Sequence, residues 1–141
     1  MTPEQIANVQ TTWRAVVPIA DKAADLFYDR LFEVDPKLRP LFPEELTEQK
    51  KKLMSMIGRV VAALNDLGSM VPAIQELGRK HVGYGVKDED YGTVAAALLW
   101  TLEQGLEDAW TPVVKDSWVA AYTLLSGAMI DAGKQRIAAA Q

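Results

Sequence analysis

Ile74-Gln75-Glu76-Leu77-Gly78-Arg79-Lys80-His81 decides the reading of this chain, because it holds the only histidine in 141 residues. On a helix, His81 falls four residues after Leu77 and seven after Ile74, in line with the apolar face and away from Arg79 and Lys80. The sequence contains no cysteine. A zinc site needs three or four protein ligands, so zinc does not fit. A porphyrin brings four nitrogens of its own and asks the protein for a single axial ligand. Two other readings of these eight residues stay open: a hydrogen-bonded core histidine, or an exposed one beside two cations.

Outward from this segment, the composition is that of an ordinary soluble globular protein, 49% hydrophobic and 24% charged. The length suits one domain, residues 1–141, with a core that needs no disulfide. The net charge of −4 is mixed along the chain, which argues against a nucleic-acid partner. Lys50-Lys51-Lys52 is the one basic cluster; Lys50 and Lys51 read as a solvated helix face. No apolar run approaches 18 residues and no basic-then-apolar leader opens the chain. The expectation is a cytoplasmic protein with no membrane contact, ending in a short tail, Ala139-Ala140-Gln141, that frays.

Helix starts punctuate the sequence. Thr2-Pro3, Asp35-Pro36 and Thr111-Pro112 each place an N-cap residue before a proline, and Gln5 completes a capping-box pattern with Thr2. Ser69 to Pro72 and Asp88 to Asp90 offer two further starts, and Gly83-Tyr84-Gly85 stops the helix bearing His81. Between these marks the apolar period is near 3.6, as in Leu53, Met56, Ile57, Val60, Val61 and Leu64. No sustained period-2 alternation and no hairpin turn occurs. The fold class is therefore all-α, with about six to eight helices, expected at 3–17, 19–34, 36–41, 44–66, 70–82, 89–108 and 112–137.

Two polar residues lie on the apolar stripes. Gln49 precedes Leu53 by four, and Tyr28 precedes Leu31 by three. A buried amide or phenol without a partner costs about 1–3 kcal/mol, so such groups pair with each other, with the backbone or with a ligand. Alone, Tyr28 reads equally as a core aromatic tied to the backbone, and Gln49 as an amide turned outward beside Lys50.

With their spacing, these residues resemble a bacterial single-domain globin along nearly the whole chain. Phe27 to Pro36 is similar to the second globin helix running into the third, and Phe42 follows Pro36 by six. Gln49 falls at the distal position, Leu53 one turn beyond it, and Leu77 to Val86 looks like the proximal helix and corner. The closest resemblance is to the tyrosine/glutamine type that includes flavohaemoglobin haem domains. It implies a globin fold sandwiching haem b, with His81 as proximal iron ligand and Tyr28, Gln49 and Leu53 on the distal side. It implies haem contacts from Phe42, Leu77, Val86, Tyr91 and Val94, with Lys52 and Lys80 reaching the propionates.

The resemblance further implies reversible binding of O2, CO and NO. Tyr28 O–H and Gln49 NH2 are donors suited to the partial negative charge on bound O2. An alternative is nitric oxide dioxygenase activity, and since no flavin domain follows, it would need an external reductase. A haem-free helical interaction or sensor module is the third reading. Glutamine is a poor iron ligand, which leaves a Tyr28 phenolate as the secondary candidate for the ferric state. Asp131, Gly133 and Lys134 stand where flavohaemoglobins carry a glutamate in the last helix, so a carboxylate-activated histidine is not expected. A monomer or weak homodimer is the expected assembly.

Overall fold

The capping box read at the N-terminus forms as written. Gln5 N donates to Thr2 Oγ1 at 3.1 Å and Thr2 N donates to Gln5 Oε1 at 2.9 Å, opening α1 (Pro3–Val16). The computed structural model describes residues 1–140, with side chains through Lys134. Five further α-helices follow: α2 (Ala20–Val34), α3 (Thr47–Ala62), α4 (Val71–Gly83), α5 (Asp88–Leu106) and α6 (Pro112–Ala140). Among the described residues there is no strand, so the all-α expectation holds. The tail expected to fray runs to Gln141, which lies outside the described residues, as do the side chains of residues 135–140.

Local chemistry explains most of the boundaries. Asp35 Oδ1 accepts from Lys37 N at 3.3 Å, but Pro36–Leu41 winds as a 3₁₀ segment rather than the expected α-helix. Pro40 lies inside it and lacks the N–H that an α-helix would use. Thr111 Oγ1 accepts from Val114 N at 3.2 Å and opens α6. The single helix expected at 44–66 is shorter, because α3 begins at Thr47 and ends at Ala62. A 3₁₀ segment, Leu64–Met70, follows, and Asp66 within it is non-helical at φ −148°, ψ 62°. Ser69 does not cap α4 either; its Oγ donates back to the Asp66 carbonyl at 2.8 Å.

That break turns the chain by 111° between Thr47–Ala62 and Leu64–Gly83. As a result α3 packs on α2 and α1, whereas α4 packs chiefly on α6 and not along α3. The core lies among α1, α2, α5 and α6, where Val9, Val16, Leu31, Leu102 and Trp118 are buried. The apolar stripes read from the sequence face this core: Ala24, Phe27, Leu31 and Leu38 are all buried, as are Val60, Val61 and Leu64. No single helix among the described residues is long and apolar enough to cross a membrane.

One buried polar pair ties the first and last helices together. Trp118 Nε1 donates to Thr12 Oγ1 at 2.9 Å, and Thr12 donates onward to the Asn8 carbonyl at 2.7 Å. Replacing the hydroxyl with a methyl in Thr12→Val strands the indole N–H, at a cost of about 1–3 kcal/mol. Urea denaturation should show that loss, and adding Trp118→Phe should produce less than the sum of the two single losses. Strict additivity would mean that the bond contributes nothing.

Candidate functional site

The residues singled out in the sequence assemble as two groups. The first is built on α2, α3 and the segment between them. Tyr28 is 2% exposed on the inner face of α2, and its hydroxyl lies beside the Gln49 side chain. Around it stand three phenylalanines: Phe27 at 5.0 Å and Phe42 at 5.6 Å between ring centroids, both edge-on, and Phe32 at 5.9 Å. Rings at these separations fill the volume beside the hydroxyl but offer it no hydrogen bond in the ring plane. Burial therefore raises the Tyr28 pKa above its usual 10, with the neighbouring Gln49 amide opposing part of that shift. The neutral phenol is favoured, which works against the phenolate considered as a ferric ligand.

Arg39, which belongs to no motif or apolar stripe, braces this group. Its guanidinium donates to the carbonyls of Phe42, Pro43 and Glu44 at 3.4, 2.9 and 2.8 Å, and sits 5.3 Å over the Phe32 ring. It thereby fixes the chain that delivers Phe42. Lys50, expected on a solvated face, instead reaches Asp25 of α2 at 2.9 Å and ties α3 to α2. Leu53 is half-buried on α3, and Val94 is half-buried on α5, both packed against the core.

The second group surrounds His81, near the end of α4. Its Nδ1 lies 2.7 Å from the Leu77 carbonyl, a geometry in which Nδ1–H donates. Among the described residues Nε2 has no hydrogen-bond partner. Gly85 N donates to Val82 O at 3.1 Å and Val86 N to His81 O at 3.0 Å. These are the two bonds of a Schellman turn. The turn needs Gly85 at φ +88°, a conformation that L side chains rarely adopt. The Gly83-Tyr84-Gly85 stop thus also locks the backbone of the histidine itself.

Tyr91 lies almost parallel to the imidazole, 24° between planes and 6.1 Å between centroids. It is held by the start of α5, where buried Asp90 accepts from Lys87 N at 2.9 Å. Tyr122 of α6 donates to the Tyr91 carbonyl at 2.6 Å. Val86 and Tyr91 line a cleft of about 190 Å³ together with Val82, Met129 and Ile130. Lys52 and Lys80 are exposed. No carboxylate is hydrogen-bonded to His81 among the described residues; a backbone carbonyl takes that place.

This donor set suits a porphyrin. A neutral imidazole with Nδ1–H committed to a carbonyl presents the Nε2 lone pair to a metal. The chain turns by 111° between α3 and α4, and Leu53 on the first and Leu77 on the second are half-buried apolar side chains. Such surface is costly to leave in water, at about 25 cal/mol for each Å².

The chain belongs to the globin family: the family model matches residues 25–129, and that membership implies haem binding and diatomic gas ligands. It is 30% identical to a flavohemoprotein of Bacillus subtilis over 83% of its own length, and spans 31% of that relative's length. A bacterial globin structure from Campylobacter jejuni matches with a TM-score of 0.84 and 26% identity, covering 95% of this chain and 97% of the other. An engineered carbene transferase, built on a proposed nitric oxide dioxygenase from Rhodothermus marinus, matches in fold. Its TM-score is 0.88 at 23% identity, covering 99% and 97% of the two chains.

Burial lowers the His81 pKa below 6.5, with the Leu77 bond opposing part of that shift. The unfolded chain therefore takes up the proton first. Stability is unaffected well above pH 6.5 and falls as the pH drops from there through the lower folded value. Because no other histidine exists, urea denaturation of the wild-type apoprotein and His81→Gln isolates this effect. The wild type should lose more stability than the variant between pH 7.5 and pH 5, and parallel losses would refute it.

Proposed function

We propose that this globin reversibly binds O2 and other diatomic gases at a haem b held through His81 Nε2, with Tyr28 and Gln49 as donors on the opposite face. The carrying observation is the pairing of two prepared groups in one fold: a buried phenol beside an amide, and an imidazole with one nitrogen anchored and the other uncommitted. A bound haem would supply a ferrous iron able to take up a diatomic gas. Leu77 O orients the imidazole plane, and the Schellman turn holds its Cα. Phe42, Leu53, Leu77 and Val94 would give apolar contacts to the porphyrin and keep water from the iron. Val86 and Tyr91 would support the histidine side, and Lys52 and Lys80 would pair with the propionates.

Tyr28 and Gln49 decide how long each gas stays. Their O–H and N–H aim at charge that builds on O2 and much less on CO. A hydrogen bond of about 1.4 kcal/mol slows escape roughly tenfold when it is lost on the way out. The phenylalanines around Tyr28 hold its hydroxyl in one place, so little ordering entropy is lost when a gas molecule arrives.

A second reading is oxidation of NO to nitrate, with a separate reductase restoring the ferrous iron. It is favoured by the tyrosine/glutamine pair, which the resemblance associates with that activity. Sustained NO consumption with an added reductase supports it, while a single turnover followed by arrest leaves gas binding as the function.

The first measurement is the absorption spectrum of protein loaded with haemin. A strong Soret band, lost in His81→Ala, is the expected outcome; wild-type protein that takes up no haemin would overturn the reading. In flash photolysis and stopped flow, Tyr28→Phe should speed O2 dissociation by roughly tenfold and CO dissociation far less. Equal acceleration of both gases would mean that Tyr28 acts only by filling space.

A further inference from the structure

We propose that Gly78 and Gly133 form a side-chain-free crossing through which α6 sets the position of His81, so that both glycines are positioning residues for the axial ligand. The proposal rests on the haem reading of the site and goes beyond it by assigning a role to residues that touch neither haem nor gas. A Cβ built on Gly78 would stand 2.3 Å from the Met129 carbonyl oxygen and 2.7 Å from its Cα. The backbones of α4 and α6 are therefore in direct contact, and backbone cannot swing aside as a side chain can. A Cβ on Gly133 would stand 2.7 Å from Val82 Cγ2 and 3.5 Å from the Gly78 carbonyl oxygen. Gly127, on the same helix, faces open space, so glycine is not a general requirement of α6.

The crossing straddles the histidine. Gly78 precedes His81 by almost one turn, and Val82 follows it directly. The carbonyl that accepts from His81 Nδ1 at 2.7 Å belongs to the Leu77–Gly78 peptide. Pushing Gly78 away from Met129 therefore tilts the group that orients the imidazole. A methyl at Gly78 needs about 1 Å of extra separation to move from 2.3 Å to an ordinary contact near 3.4 Å. α4 has no α3 packed along it to resist that displacement. A shift at the crossing thus travels to the ring and to the lone pair on Nε2.

The lone histidine makes the test direct. In the apoprotein, the imidazole ¹H and ¹⁵N resonances belong to His81 alone, and the Tyr91 ring 6.1 Å away makes them sensitive to small displacements. Gly133→Ala should shift these resonances. The shift should be largely lost when Val82→Ala is added, measured against Val82→Ala alone, because the clashing methyl is gone. Gly78→Ala, which meets backbone, should shift them further or prevent folding, and Gly127→Ala should leave them unchanged. In the ferrous haem-loaded protein, the iron–histidine stretching band should follow the same order.

If Gly133→Ala lowers thermal stability while the His81 resonances and the stretching band stay at wild-type values, the crossing is only structural and the proposal fails. A shift in Gly133→Ala that Val82→Ala does not relieve fails it too. Failure of the haem reading would look different: wild-type protein would lack a Soret band, while the apoprotein resonances would still report on the crossing.

Discussion

α4 is supported from one side. Its backbone rests on α6 at Gly78 and Met129, and its other flank diverges from α3 after the turn at Asp66. Everything in the site follows from that imbalance. A hairpin of α3 and α4 packed along each other would have given both groups one common support. Instead the histidine is carried on a helix whose position is dictated by distant backbone, and the tyrosine–glutamine pair on helices anchored to the core.

The two groups use different means of fixing a polar atom. Tyr28 is held by volume, with aromatic rings on several sides and the Gln49 amide beside its hydroxyl. His81 is held by backbone, through the Leu77 carbonyl on its ring and the Schellman turn on its own carbonyl. A side-chain cage can be retuned by substituting one ring. A backbone clasp responds mainly to changes in helix position, which is why glycines count for more on that side.

Much of this was legible in the chain. The caps at Thr2 and Thr111 formed as read, because a cap is a local event spanning a few residues. His81, Tyr28 and Gln49 stood out because polar groups on apolar stripes are rare enough to need a reason. The end of α3 was misread because apolar spacing continues through buried Leu64 after the α-helical bonding has stopped. Periodicity records which side faces the core, not which carbonyl accepts the next N–H. Arg39, the Tyr122 bond to Tyr91, and the contact of Gly78 with Met129 escaped notice because each depends on elements far apart in sequence or on loop geometry. A glycine in mid-helix carries a cost of about 1 kcal/mol relative to alanine. That cost was the one available hint that Gly78 sits where no side chain fits.

The corner after His81 also limits how this protein can be altered. Residues 82–86 are used up in closing α4, with Gly85 taking the left-handed step, and α5 begins two residues later at Asp88. There is no slack chain to absorb an insertion, so lengthening this corner would rotate α5 and carry Tyr91 away from the imidazole. The connection before α3 differs: Pro43 to Leu46 has no such closed ring of backbone bonds, and Glu44 and Glu45 are exposed. Beyond the carbonyls that Arg39 holds, the chain before α3 therefore has more room for redesign than the corner after His81, which admits substitutions but not changes of length.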